Sequence, residues 1–445
     1  MLQFLNRAAL LLCPLALAAC TNDAEPGSTT DVGPTDVANA TDIQPDAGAD
    51  TGETSICDPT PARCDAFGAD QPPRTSEHGA AYLNETAEMV VFGGTTGVPE
   101  NCDPAVAAAY VGDTWIYDDA CATWTLTAGN GPTARGRHSM AGSGDAAWVF
   151  GGRWRPAGAT SGDYTLYDEL WRFDATSRAW QLASTGGPAA RTNSVLVWDS
   201  TAERLLVFGG NDSASGMDIG PRNDVWEYDP AGGSWTELSP SGTVPAPRLS
   251  AAGLYDAERH RLVVYGGFDS FDFGGGVDYF SDVWALDLNT MAWEQLANEV
   301  GAPDGRFGAA IAHDAVFDNY VLFGGHDDQA LGNRNDNWLF FPENNTWGQL
   351  GLGDTFNAPQ IDFCEFPPDF TTIDPALPER RNYHSFVWSN TCGHGVMFGG
   401  KTDCGSANDV WSYADETWTE EVVATAGEVC VRFRSNPENC VNLCF

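Results

Sequence analysis

Lysine is almost missing from this chain. Lys401 is the only one in 445 residues, and 22 basic side chains face 62 acidic ones, a formal charge of −40. That balance excludes binding to nucleic acid or to an anionic membrane by simple electrostatics, since either needs a basic patch. Also absent are Gly-x-Ser-x-Gly, His-Glu-x-x-His, a phosphate-binding glycine loop and a dinucleotide fingerprint, so nothing points to the reactions those motifs serve. No Cys-x-x-Cys pair occurs, which argues against a zinc site. The Asp-x-Asp-x-Asp-Gly spacing of a calcium loop is missing too, leaving acidic stretches such as His326-Asp327-Asp328 a weak signal. No cofactor and no metal is expected.

What the chain has instead is a repeat. Leu205–Leu238 combines a β-branched run ending in Gly209-Gly210, a polar loop, Asn-Asp-Val-Trp-Glu-Tyr-Asp, and Trp235 followed by Leu238. The double glycine returns at Gly93-Gly94, Gly151-Gly152, Gly266-Gly267, Gly324-Gly325 and Gly399-Gly400. Two tryptophans follow each pair, as Trp115 and Trp124 do in the first unit. Alternating apolar residues between Gly, Asn and Asp turns predict four short strands per unit. One unit cannot bury its own aromatics. Six packed radially can, which predicts an all-β, six-bladed propeller of four-stranded blades.

Arg-x-x-His or Arg-x-x-Ser, a strand ending in Gly-Gly, (Asn/Ser)-Asp-x-Trp-x-(Phe/Tyr)-Asp and Trp-x-x-Leu together resemble the kelch family, from about Arg74 to Trp418. The resemblance implies that each first strand lies innermost. It also implies that the loops after the second and fourth strands share one face. Arg74, Arg135, Arg191, Arg248, Arg306 and Arg381 would then ring the channel mouth on that face, with Arg137 beside them. An arginine fork suits carboxylate or phosphate, although arginine here also belongs to the repeat and can bond loop carbonyls or neighbouring Asp. His78, His138 and His384 follow in three consecutive blades. They can line one side of the mouth or bond backbone, as is ordinary for the family. Among the long loops, Trp154, Phe271 and Phe273 are the candidate ligand contacts.

The remaining segments point to export. Residues 1–19 read as a signal peptide whose Leu17-Ala18-Ala19-Cys20 is similar to the bacterial lipobox, with Cys20 the lipidated residue. Residues 20–55, rich in Asp, Thr, Pro, Ala and Gly, are expected to be a disordered tether. Residues 56–73 would cover the propeller seam, 74–420 form the propeller, and 421–445 a cysteine-containing tail. Cys57, Cys64, Cys102, Cys121, Cys364, Cys392, Cys404, Cys430, Cys440 and Cys444 suggest disulfides in an exported chain. Proximity alone suggests Cys57–Cys64 and Cys430–Cys440.

These readings converge on a monomeric lipoprotein of the cell envelope, anchored to the outer membrane or cell surface only through Cys20. Its propeller would bind a protein or a saccharide. An enzyme acting on an acidic sugar at the channel mouth, epimerase-like, is the alternative from another class; a purely architectural envelope protein is the third.

Overall fold

A computed structural model describes residues 55–64, 70–96, 109–127, 129–157, 159, 162–216, 218–270, 279–297, 301–327, 332–356, 371–402 and 405–425. Apart from one helical turn, Pro61–Cys64, the elements in them are β. The described strands form six blade sheets, each built on four antiparallel strands of one repeat, and three two-stranded ribbons. Blade 1 runs Gly79–Leu83, Glu88–Phe92, Thr114–Asp118 and Thr123–Thr127. The first strands of the others are Ser139–Gly142, Val195–Asp199, Ala252–Asp256, Ala310–Asp314 and Ser385–Ser389. These six strands touch one another in a closed cycle around a central channel. Two blades depart from the expected four strands. Blade 4 adds Ser241–Gly242 parallel to its outer strand, and blade 6 adds Arg381–Asn382 against His394–Thr402.

One aromatic contact recurs between every two neighbouring blades. The outer-strand Trp of one blade packs on the second-strand aromatic of the blade before it, with centroids 4.8–5.3 Å apart. The pairs are Phe92–Trp180, Phe150–Trp235, Phe208–Trp293, Tyr265–Trp347, Phe323–Trp418 and Phe398–Trp124. The last joins blade 6 to blade 1, so the ring closes with the same contact that builds it. Such tilted aromatic pairs contribute beyond their buried area.

The glycine pairs explain how neighbouring blades approach. Gly93 and Gly94 have φ of 66° and 102°, a region that side chains disfavour. The Gly94 N–H donates to Arg135 O of the next blade at 2.8 Å, and a Cβ there would lie 2.5 Å from Thr75 Cγ2. Each later pair repeats this stitch.

Among the described residues the seam is fastened without strand exchange. On one side, Thr75 N–H donates to Ala407 O, Gly400 N–H donates to Thr75 O, and Asn408 donates to Pro72 O. On the other, disulfides link Cys57 to Cys392 in blade 6 and Cys64 to Cys121 in blade 1. This corrects the Cys57–Cys64 pairing suggested by proximity. Ring closure brings together cysteines 335 residues apart, which spacing cannot reveal. Cys20, Cys102, Cys364, Cys404, Cys430, Cys440 and Cys444 lie outside the described residues, as do the leader and tether.

Candidate functional site

Five of the expected ring arginines are buried framework. Arg135, Arg191, Arg248, Arg306 and Arg381 are at most 2% exposed. In each, Nη1 donates to the carbonyl of the first glycine of its own pair, as Arg306 does to Gly324 O at 3.0 Å. The fork then grips the acid two residues before the blade's first Trp. Arg306 holds Asp336 at 2.6 and 2.9 Å, and Arg381 holds Asp409 at 2.7 Å through both nitrogens. The same carboxylate accepts the indole N–H, from Trp338 at 2.8 Å in blade 5. Burial opposes the charge on Asp336 and Asp409, but Arg306 and Arg381 outweigh it and hold both carboxyls below their usual range. These guanidiniums are consumed within their blades, which corrects the expectation that they offer forks to an anion.

Blade 1 lacks this unit. Arg74 is one residue out of register, and Thr75 occupies the framework position, as its bonds to Ala407 and Gly400 show. Arg74 instead donates to Thr425 O. Without an arginine to fix Asp113, that acid is exposed, and the buried Trp115 indole N–H has no partner among the described residues.

Arg137 sits at a different place. It belongs to a ring of six residues, one per blade: Glu77, Arg137, Asn193, Ser250, Gly308 and Tyr383. All have positive φ, between 48° and 62°. Their backbones form a closed circle of hydrogen bonds, each N–H donating to the carbonyl of the preceding member at 2.8–3.2 Å. This circle narrows one end of the channel, leaving a cavity of about 120 Å³. Glu77 bridges Arg137 at 2.7 Å and Arg153 at 3.6 Å, and the Arg137 guanidinium lies 4.8 Å from the Tyr383 ring centre. Burial alone would raise the Glu77 carboxyl, yet the two arginines hold it at about 2.

His78, His138 and His384 also line this small cavity, but as buried wedges between blades. Their rings meet Phe398, Phe92 and Phe323 of the preceding blade edge-on, at 5.0, 5.2 and 5.7 Å. Burial keeps them neutral, lowering His78 to about 4 and His138 to about 3, with His384 well below its ordinary value. Among the described residues no group of His, Cys, Asp or Glu is placed to hold a metal.

The other end of the channel is open. A cavity of about 700 Å³ lies there, at the turns between first and second strands. Aligned on the strand register, the fourth residue of the six innermost strands is Tyr82, Gly142, Trp198, Tyr255, His313 and Trp388. Five of six blades therefore bring a ring to this mouth. The sequence reading missed this collar. Stacking the repeats at that one position would have found it.

Trp154 lies on the narrow-end face, in the strand Arg153–Trp154 that pairs with Thr165–Leu166. It is half-buried, and the flanking Arg153 and Arg155 guanidiniums lie 4.1 and 4.5 Å from the Tyr164 ring centre. Phe271 and Phe273 fall outside the described residues.

The KLHDC2/KLHL20/DRC7 Kelch-repeats domain matches residues 63–250 and 199–360. Leucine-zipper-like transcriptional regulator 1 of Mus musculus is 26% identical over 311 residues, covering 68% of this chain and 32% of that protein. Kelch domain-containing protein 10 of Rattus norvegicus is 30% identical over 228 residues, 49% of this chain and 52% of that protein. Acyl-CoA-binding domain-containing protein 4 of Arabidopsis thaliana is 26% identical over 271 residues, 58% of this chain and 36% of that protein. The chain spans about a third to a half of the length of these relatives.

Proposed function

We propose that this chain, which belongs to the kelch-repeat family of β-propellers, binds a protein partner on its glycine-loop face and is held at the cell envelope through a lipid on Cys20. A kelch propeller fits a protein-binding module. The observation that carries the choice of face is the half-exposed group of Arg153, Trp154, Arg155 and Tyr164 beside the narrow end. Trp, Tyr and Arg dominate binding hot spots, because they offer large rigid contact area with a polar or charged edge. The circle of backbone bonds makes the platform beneath them stiff. The acidic-sugar enzyme loses support, because the arginines meant to hold its substrate are bound to Asp and Glu within their own blades.

A photo-crosslinking residue in place of Trp154, in cells that make the protein, should yield a discrete protein adduct. The same residue at the exposed outer-strand position Leu126 should not. Adduct formation should be lost with Arg155→Glu. Identical patterns from both positions, or none from Trp154, would overturn the reading. The anchor rests on the lipobox-like sequence alone: Cys20→Ala should move the protein from the membrane to the soluble fraction, and an unchanged distribution would refute it.

A further inference from the structure

The wide end of the channel holds chemistry that protein binding on the opposite face does not use. Its cavity, about 700 Å³, falls within the range of small-molecule sites. The circle of backbone bonds constricts the far end, so a molecule held here enters and leaves by the wide mouth. Trp198, Tyr255 and Trp388 line it and remain half-buried, with ring surface left to cover.

Charge decides what kind of molecule that is. Among the described residues no Arg or Lys lines the cavity, and the one histidine that does, His313, is paired with Asp318 at 3.2 Å. The cations on the turns around it are also committed. Arg259 holds Asp318 at 2.6 Å, Arg204 holds Asp199 at 3.0 Å and Arg261 holds Asp256 at 3.0 Å. His260 reaches Asp199 at 3.2 Å. Glu203 and Glu258 line the same cavity, and neither forms a hydrogen bond or ion pair with a described residue. Both are exposed where they line the cavity, and two uncompensated carboxylates there give its mouth a negative potential that salt screens. Aromatic rings beside them favour a cation further, through the negative face of each ring.

We propose that the wide end of the channel binds a small organic cation, an ammonium or quaternary ammonium on an apolar body, between the rings of Trp198, Tyr255 and Trp388 and the carboxylates of Glu203 and Glu258. The rings remove the apolar body from water, and the carboxylates supply the countercharge that the rest of the lining lacks.

The test is calorimetric titration of the full chain at low salt with choline and with 3,3-dimethylbutan-1-ol, which has the same shape and no charge. Choline should bind about tenfold more tightly or better, and the preference should shrink as salt is added. The double variant Glu203→Gln/Glu258→Gln should lose about tenfold in choline affinity with its melting temperature unchanged, since neither acid bonds a described residue of the fold. Trp388→Leu should weaken choline and its isostere alike. Equal affinity for the two isosteres would overturn the proposal in favour of a plain apolar recess. Binding of methyl β-glucoside in place of choline would overturn it in favour of a sugar. Silence with both choline and benzyltrimethylammonium would also end it. None of these outcomes touches the Trp154 face, so the two readings stand or fall separately.

Discussion

The two ends of the channel are made by the same six strands, yet they solve opposite problems. At the narrow end every blade contributes a backbone link, and the charged residues pair as Glu77, Arg137 and Arg153. At the wide end the blades contribute rings, and Glu203 and Glu258 stay unpaired within the described fold. Groups that satisfy one another contribute to stability, whereas groups left open to solvent can meet a ligand. The difference teaches that a conserved-looking repeat residue, the buried arginine, belongs to the scaffold, while the variable fourth position of the inner strand carries the character of a site.

The hardest blow to that contrast is to strip a framework arginine. Arg306→Ala leaves Asp336 buried without its countercharge and should cost about 3–5 kcal/mol, read as a lower midpoint in urea unfolding. Trp388→Ala at the wide end should cost clearly less, because that ring is only half-buried. Opening the seam comes next: Cys57→Ser removes the link to Cys392 and should cost roughly 2–5 kcal/mol, visible as a melting difference between oxidised and reduced protein that shrinks in the variant to the part Cys64–Cys121 supplies.

Acid separates the ends by sign. His78 and His138 have folded values of about 4 and 3 against an ordinary value of 6.5. Between those values the unfolded chain binds more protons, so their contribution is full above about pH 6.5 and drains as pH falls, by about 1.4 kcal/mol per unit for each. His394 at the wide end runs the other way. Burial lowers it, but Asp119 outweighs burial and raises it, so its contribution is full below 6.5 and lost as pH rises through its folded value. Melting curves from pH 7 to 5 should therefore show net loss on acidification. The loss should be shallower in His384→Ser and steeper in His394→Gln. The smallest effect is a gain: Thr75→Arg restores the missing sixth fork near Asp113 and should stabilise by about 1 kcal/mol. A loss in that variant would show that blade 1 cannot accept the framework unit.

Much of this was legible beforehand. The double glycines and paired tryptophans place all six blades, because φ > 0 and close approach restrict what can stand at those positions. Arg74 was misread by one residue because Arg74 and Thr75 are adjacent and the spacing to His78 is one longer than in Arg135–His138. The narrow circle left no trace: Glu, Arg, Asn, Ser, Gly and Tyr share no chemistry, since the circle uses only their backbones. The disulfides were misjudged for a related reason, ring closure being a fact of topology that local spacing does not carry.

The closed circle has one more consequence. Peptide groups aligned in a row, as in a helix, add into a dipole with a positive and a negative end. Six hydrogen bonds running head to tail around a ring cancel along its tangent, so the circle has no pole there. It can bar the channel without itself drawing ions of either sign toward it. The potential felt by anything approaching the axis is left to the side chains, and the same fold can therefore change its electrostatic preference by substituting them, with the barrier beneath unaltered.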